Sequence, residues 1–301
     1  MPSVAHAYHG VLTGGLSNQL MHLAEALERA CSADAYLVLP RFNAGWFNHV
    51  DEATGHAFTD LFDLPRVASM LRPCRLVSDD LGAPPGMRVV ARQVSDLHPI
   101  NASWPHWEWF GRLVAALRPA PPVRKGVASL ERWVRARVGA RWMAIHLRLE
   151  RDWEGAGFCD VGRFPVRRCW EADEVAARTA AVRARRNVSG VALVYARHNL
   201  DVARHPIRLA SFGGAATVLP DMVSAAGARA TASYTIQALI QLFVAVRAPG
   251  GFAGNAYSSF DRAVGALRAA RRRGLSFAYD CNVAPSVCEL RRVGECSVVG
   301  R

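Results

Sequence analysis

The sequence predicts an α/β fold with parallel sheets, and three observations support this prediction. Short apolar runs alternate with longer segments of helical periodicity, which is typical of strand–helix–strand units. Polar and small residues directly follow two of these runs, as they do where parallel strands end at a binding crevice. The chain of 301 residues is 51% hydrophobic, so it can bury one large core or two medium ones.

The first strand–helix–strand unit lies at the beginning of the chain. A strand is predicted at residues 5–12, the pair Gly14 and Gly15 follows it, and Ser17 is placed to cap the next helix. The second strand is predicted at residues 35–40. The amides of this helix start could face a ligand, but an ordinary strand-to-helix turn also requires glycine.

A second half of the chain is predicted to begin after a proline-rich break at residues 119–122. The break indicates two domains, residues 1–140 and residues 141–301. Further strands are predicted at residues 142–147, 191–196 and 215–219, and further helices at residues 170–186 and 234–246.

The strand at residues 142–147 ends in a charged stretch that contains His146, Arg148, Glu150 and Asp152. Residues two apart on an extended chain face the same way, so the first three could project together from the carboxyl end of the strand. An imidazole, a guanidinium and a carboxylate in this order indicate an anionic ligand. A strand end that merely becomes solvated would show the same change in polarity.

Another polar stretch leads from a short apolar run into a helix that is predicted to end near Ala270. It contains Asn255, Ser258 and Ser259. Capping hydroxyls and free amides gather at such a helix start, and the helix dipole favours an anion there. Plain capping would account for one of the two serines.

The formal net charge of +12 invites a nucleic-acid interpretation. The basic residues are scattered, however, and the main clusters at residues 183–186 and 271–273 lie at predicted helix ends, where cations suit the dipole. We therefore expect no nucleic-acid partner. No apolar run is long enough to span a bilayer and residues 1–10 lack the order of a secretion signal, so no membrane contact of this chain itself is predicted.

The chain has seven cysteines, and their spacing is not that of a zinc site. Cys281, Cys288 and Cys296 lie close together in the tail, and two of them could pair in an oxidising compartment. We expect no bound metal and no cofactor.

Taken in order along the chain, these motifs resemble those of the GDP-fucose protein O-fucosyltransferase family and its plant and algal relatives. The first loop is also similar to that of α-1,2-fucosyltransferases. The resembling segments cover most of the chain and comprise residues 14–19, 37–40, 58–63, 146–148 with Glu150 and Asp152, and 252–260.

This resemblance implies a GT-B architecture, in which two Rossmann-like domains with parallel sheets face each other across a cleft. The N-terminal domain would carry the glycine loop on the acceptor side, and the C-terminal domain would bind the GDP-sugar. The implied activity is an inverting, metal-independent transfer of fucose from GDP-fucose to a hydroxyl of a protein, peptide or glycan, with Ser or Thr of a protein as the favoured acceptor. The family works in the secretory pathway, in the ER or Golgi lumen.

Two alternative interpretations remain open. One is a catalytically inactive relative that binds a GDP-sugar or a glycan, and the other is an α-1,2-fucosyltransferase-like enzyme that acts on a glycan. The inactive form is suggested by Gln241, which stands where relatives often carry an aspartate that helps to hold the nucleotide. Glutamine keeps the hydrogen bonding and loses the charge.

The resemblance also implies roles for particular residues. Arg148 would neutralise the leaving diphosphate, and Asn18 would lie near the fucose and the β-phosphate. Glu150 or Asp152 could serve as the general base, although Asp152 could instead support Arg148, and late proton loss would reduce the need for a base. The residues implied around GDP-fucose are Gly14, Gly15, Asn18, His146, Arg148, Gln241, Asn255, Ser258, Ser259 and Phe260.

Overall fold

The computed structural model describes most of the chain. For the strands at residues 4–8, 88–92, 288–292 and 295–298 it describes the backbone alone. The described residues are 4–8, 15–42, 55–77, 88–92, 106–149, 157, 159, 169–195, 205–219, 233–274, 276–280, 288–292 and 295–298.

The chain divides into two compact units. One comprises residues 1–126 and 232–240, and the other comprises residues 127–231 and 241–301. The boundaries at residues 126/127 and 240/241 fall inside helices, so each of these two helices contributes residues to both units. The division at residues 140 and 141 stays a prediction.

The first unit contains a parallel sheet. Its elements are β1 (Val4–Tyr8), α1 (Leu16–Ser32), β2 (Tyr36–Val38), α2 (Phe58–Leu61), α3 (Leu64–Met70), β3 (Arg75–Val77), β4 (Arg88–Arg92) and α4 (Trp107–Ala116). Within the described residues, four strands pair in the order β3-β2-β1-β4, and all neighbours are parallel. This is the order of the first four strands of a Rossmann fold, 3-2-1-4.

Helix α1 begins directly after Gly15, whose extended backbone (φ −61°, ψ 162°) makes it the N-cap residue. The prediction that Ser17 caps this helix is wrong, because Ser17 lies within the first turn and is buried. The helix buries an apolar face that contains Leu20, Leu23 and Leu27.

The second unit contains a larger, mixed sheet. Its elements follow helix α5 (Pro121–Val138), which starts with two prolines where their missing amides cost nothing. They are β5 (Trp142–His146), α6 (Ala172–Arg185), β6 (Gly190–Val194), a 3-10 helix (Leu209–Phe212), β7 (Ala215–Val218), α7 (Tyr234–Arg247), β8 (Phe252–Gly254), α8 (Ser259–Ala270), β9 (Ser276–Ala278), β10 (Cys288–Arg292) and β11 (Glu295–Val298).

In the described part of this sheet, seven strands follow the order β11-β10-β9-β8-β5-β6-β7. The five strands from β9 to β7 are parallel, as expected for the predicted parallel sheet. Strand β9 itself was not predicted, and neither were β10 and β11, which extend the sheet in antiparallel fashion. The α/β class with parallel sheets is thereby confirmed.

Strand β5 is buried on both faces of the second sheet. Met143, Ile145 and Leu147 point into an apolar cluster that also contains Val175 and Val182 of helix α6. His146 lies between these positions in sequence and therefore faces the opposite side of the sheet. The alternation along β5 thus determines on which face the polar residues at its end emerge.

Two disulfide bonds close loops in the described part of the chain. Cys31 at the end of α1 is bonded to Cys74, which precedes β3, and Cys159 is bonded to Cys169, which precedes α6. The sequence analysis did not identify either pair. The predicted pairing of two cysteines among Cys281, Cys288 and Cys296 falls outside the described side chains.

Candidate anion-binding site

The predicted polar stretches meet at the topological switch point of the second sheet. From β5 the chain continues to β6 and β7 on one side, whereas β8 and β9 lie on the other side of β5. Ile145 of β5 pairs with Ala253 of β8, so that His146 and Gly254 end adjacent parallel strands. In open α/β sheets, ligands bind in the crevice at the carboxyl ends of strands that diverge in this way.

His146 is fixed on several sides. Its ring nitrogen Nδ1 lies 2.8 Å from Oδ1 of Asp261, and its ring centroid lies 4.8 Å from that of Phe260. The hydroxyl of Tyr279 donates a hydrogen bond of 2.9 Å to the carbonyl oxygen of His146. Only 5% of His146 is exposed, so the ring is held by these groups and not by solvent.

Asp261 is a functional candidate that the sequence analysis missed. It is fully buried at the start of α8, and its second carboxylate oxygen accepts the amide of Asn255 at 2.5 Å. A Cβ atom at Gly254 would lie 2.4 Å from the Asp261 carboxyl carbon, so only glycine at position 254 leaves room for this carboxylate. The signal in the sequence is the Ser258–Asp261 spacing, which predicts a capping box and not a partner for histidine.

The electrostatics of Asp261 reflect its burial. Desolvation raises the pKa of Asp261, whereas the neighbouring His146 and, more weakly, the positive charge of Arg148 oppose this rise. Arg148 is half-buried, two residues beyond His146. The site therefore combines one buried acid with an imidazole and a guanidinium.

The loop between β8 and α8 uses its own amides internally. The amide of Ala256 donates to Asp280 at 2.9 Å, and the amide of Tyr257 donates to the Asn255 side-chain oxygen at 2.9 Å. Together with the bond from Asn255 to Asp261, these contacts occupy three consecutive amides. Asn255 is 1% exposed, so its side chain is placed to shape the loop.

Asp280 is the second buried carboxyl group at this loop. It is 3% exposed, and burial raises its pKa to about 7, although the amide of Ala256 and the charge of Arg262 oppose the rise. Arg262 also donates to the carbonyl oxygen of Ala256 at 2.7 Å. Ala256 is therefore fixed through both its amide and its carbonyl group.

The start of helix α8 remains accessible to an anion. The hydroxyl of Ser258 accepts the amide of Asp261 at 3.4 Å and is buried as the N-cap. Within the part of the chain that the structure describes, the amides of Ser259 and Phe260 meet no acceptor. Both residues are partly exposed. An anion at this positive helix end would thus meet two amides and the Ser259 hydroxyl.

The remaining predicted site residues are not assembled here. Gly14, Glu150 and Asp152 lie outside the described residues. Gly15 and Asn18 belong to the first unit, where the amide of Asn18 donates to the Gly15 carbonyl at 2.9 Å.

Gln241 is half-buried on α7. The ligand contacts predicted for all of these residues, and for those at the switch point, stay predictions.

The described residues contain neither a cluster of side chains suited to a metal ion nor a helix suited to a membrane. No group of three or more His, Cys, Asp or Glu side chains is arranged to hold a metal ion there. No helix in the same residues combines the length and apolar character that crossing a membrane requires.

Solved structures of known proteins have a fold similar to that of this chain. No protein-family model and no curated protein matches the chain. Among solved structures, POFUT1 in its apo form has a TM-score of 0.62 at 13% identity, covering 92% of this chain and 98% of that one. POFUT1 in complex with GDP-fucose has a TM-score of 0.60 at 14% identity, with 89% and 95% covered. An Arabidopsis thaliana FUT1 mutant in complex with GDP has a TM-score of 0.50 at 11% identity, with 98% and 75% covered.

These similarities show a fold shared with GT-B-like fucosyltransferase structures. Identities of this size establish the architecture alone.

Proposed function

We propose that this protein transfers fucose from GDP-fucose to a hydroxyl group, with Ser or Thr of a protein as the acceptor. The observation that carries the proposal is the anion site at the switch point of the second sheet. There, the carboxyl end of β5 supplies His146 and Arg148, and the start of α8 supplies Ser259 and two amides. The similarity of the fold to structures named as complexes with GDP and GDP-fucose supports this choice of ligand.

The proposed reaction is a substitution at the anomeric carbon of fucose. The acceptor oxygen forms a bond to this carbon while the bond to the β-phosphate oxygen breaks, and the configuration inverts. The electron pair of the broken bond stays on GDP, so negative charge accumulates on the diphosphate. The acceptor hydroxyl loses its proton to a base, for which Glu150 and Asp152 are the candidates. Alternatively, the proton leaves only after the bond to fucose has largely formed, which reduces the need for a base.

Arg148 and the start of α8 would stabilise that leaving group. A planar guanidinium binds two phosphate oxygens at once, and the dipole of α8 favours negative charge at Ser259. Donors that are already in position stabilise developing charge without reorganisation. Such an arrangement provides the neutralisation that a metal ion supplies elsewhere, and we propose that transfer requires no metal.

The other predicted residues complete the proposal. Phe260 and His146 would border the nucleotide, and Gln241 would hydrogen-bond it without a charge. Gly14, Gly15 and Asn18 would approach the fucose and the β-phosphate from the first loop.

The two disulfide bonds support an oxidising location. We propose the lumen of the secretory pathway.

The decisive experiment combines the purified chain with GDP-fucose and a panel of folded proteins, peptides and glycans. GDP release and the mass of each acceptor report transfer, and an excess of EDTA tests whether a metal is needed. We expect transfer that survives EDTA and that falls severely in Arg148→Lys. The control Arg132→Lys, at an exposed arginine of α5, should retain full turnover.

One outcome would overturn the proposed activity, and another would overturn the role of Arg148. Binding of GDP-fucose without transfer to any acceptor would make the protein a binding protein instead of an enzyme. Near-normal turnover in Arg148→Lys would remove Arg148 from the chemistry.

A further inference from the structure

Asp261 contacts two parts of the site with its two carboxylate oxygens. Oδ2 accepts the amide of Asn255 at 2.5 Å, whereas Oδ1 lies 2.8 Å from Nδ1 of His146. One buried side chain thus joins the end of β5 to the loop after β8. A second buried carboxyl group, that of Asp280 after β9, accepts the amide of Ala256 in this loop and provides an internal comparison.

The surroundings of Asp261 determine which ring nitrogen of His146 carries the proton. The carboxylate is fully buried, and it interacts with His146, the amide of Asn255 and the positive charge of Arg148. The carboxyl group of Asp280, which follows β9, also interacts electrostatically with Asp261 and with Arg262 of α8. A buried carboxylate needs hydrogen-bond donors, and Nδ1 of His146 can be a donor only when it carries a proton.

The tautomer of a histidine is set by the hydrogen bond that one of its ring nitrogens makes. A proton on Nδ1 leaves Nε2 as an acceptor in the neutral ring and as a donor in the charged ring. The contact with Phe260 and the bond from Tyr279 hold the ring face and the backbone, but neither selects a tautomer. Of these three contacts, the one with Asp261 acts directly on Nδ1.

We propose that Asp261 is a positioning residue that fixes His146 with the proton on Nδ1, so that Nε2 is the nitrogen that meets the diphosphate of the nucleotide. This role adds a residue to the proposed function, and the effect of Asp261 on turnover rests on that function. The tautomer itself is a property of the protein without ligand. Failure of the two ideas can therefore be told apart.

The first test uses the unmodified protein and nuclear magnetic resonance of its histidine side chains. The chain has ten histidines, and the His146 signals are assigned by their loss in His146→Gln. We expect the neutral ring of His146 to carry its proton on Nδ1. A ring with its proton on Nε2 would overturn the proposal without the need for any variant at position 261.

The second test compares Asp261→Asn with Asp280→Asn. In Asp261→Asn, the substituted amide can still accept the Asn255 amide, but the negative acceptor for Nδ1 is lost, so the tautomer should shift toward Nε2–H. In Asp280→Asn, the loop loses the other carboxylate and the tautomer should not change. Unchanged His146 signals in a folded Asp261→Asn variant would contradict the proposal.

Kinetics give the third readout. If fucose transfer takes place, kcat should fall about 10- to 100-fold in Asp261→Asn, the range that is usual when the hydrogen-bond partner that orients a metal-bound histidine is removed. KM for GDP-fucose should change less, and the pH profile of kcat should shift. An unshifted pH profile with a purely raised KM would indicate a structural role and reject the assignment.

If the unmodified protein shows no transfer, the proposed function fails. The tautomer measurement still decides the role of Asp261.

Discussion

Gly254 allows Asp261 to occupy the space beneath the end of β5. The predicted position of a Cβ atom at residue 254 is 2.4 Å from the Asp261 carboxyl carbon and 2.7 Å from both of its oxygens. Contacts this short require the carboxylate to move. Because Asp261 is fully buried and accepts the amide of Asn255, the loop after β8 would have to move with it.

We therefore predict that Gly254→Ala lowers the free energy of unfolding by about 1–3 kcal/mol, the usual cost of overpacking a core. The variant should also lose the His146 tautomer that Asp261 selects. Urea unfolding provides the measurement. Gly111→Ala is the control, because a Cβ atom there meets nothing within 4 Å and alanine favours helix α4. Equal stability of the two variants would show that the space at residue 254 is not occupied as described.

Helix α8 begins with two serines that have different surroundings. Ser258 is 4% exposed and its hydroxyl accepts the amide of Asp261 as the N-cap. Ser259 is partly exposed and forms the first residue of the helix. The hydroxyl of Ser258 thus stabilises the helix, and that of Ser259 is placed for a ligand.

Alanine substitutions should separate these two roles. Ser258→Ala should lower the free energy of unfolding by about 1 kcal/mol, because a capping bond is lost. Ser259→Ala should leave the stability unchanged and weaken the binding of GDP. Thermal unfolding and calorimetric titration of both variants report the two effects. A reversed result, with Ser259 needed for stability and Ser258 for binding, would contradict the assignment.

The stability of the whole protein should depend on pH through Asp280. Burial raises the pKa of this carboxyl group from 3.8 to about 7, so the folded state favours its protonated form. The unfolded state releases the proton at lower pH. The contribution of Asp280 to stability is therefore complete below about pH 4 and is lost as the pH rises to about 7.

Asp280→Asn should remove this dependence, because an amide does not titrate. Relative to the variant, the unmodified protein should lose up to about 1.4 kcal/mol per pH unit between about pH 4 and pH 7. Urea unfolding at several pH values measures the difference. Glu108→Gln, at an exposed residue of α4, serves as the control. A difference between Asp280→Asn and the unmodified protein that stays constant over this range would refute the prediction.

Local sequence patterns were sufficient to predict β5, β6 and β7 and the short apolar run that forms β8. The binding of a ligand at the carboxyl ends of these strands stays a prediction. Strand β5 is an uninterrupted apolar run that ends in charge, and β8 is followed at once by small and polar residues. Both features depend on neighbours in the sequence. The apolar run at residues 234–246 likewise predicted α7, which the structure places at Tyr234–Arg247.

Contacts between distant residues could not be predicted in the same way. The hydrogen bond from Tyr279 to His146 joins residues that are 133 positions apart in the sequence. Asp261 has the sequence context of an ordinary helix cap, which gives no sign of its contact with His146. Cysteine spacing does not determine pairing, so Cys31–Cys74 and Cys159–Cys169 were missed. The antiparallel strands β10 and β11 are short and depend on pairing with β9.

The central claim is that the carboxyl edge of β5 and β8 binds the diphosphate of a guanine nucleotide through Arg148. Calorimetric titration of the unmodified protein and of Arg148→Lys with GDP and with guanosine tests it most directly. We predict that the unmodified protein binds GDP and that Arg148→Lys raises the Kd for GDP at least about 10-fold, equivalent to about 1.4 kcal/mol, with little change for guanosine. Equal GDP affinity of the two proteins, or no binding of GDP by the unmodified protein, would contradict the claim.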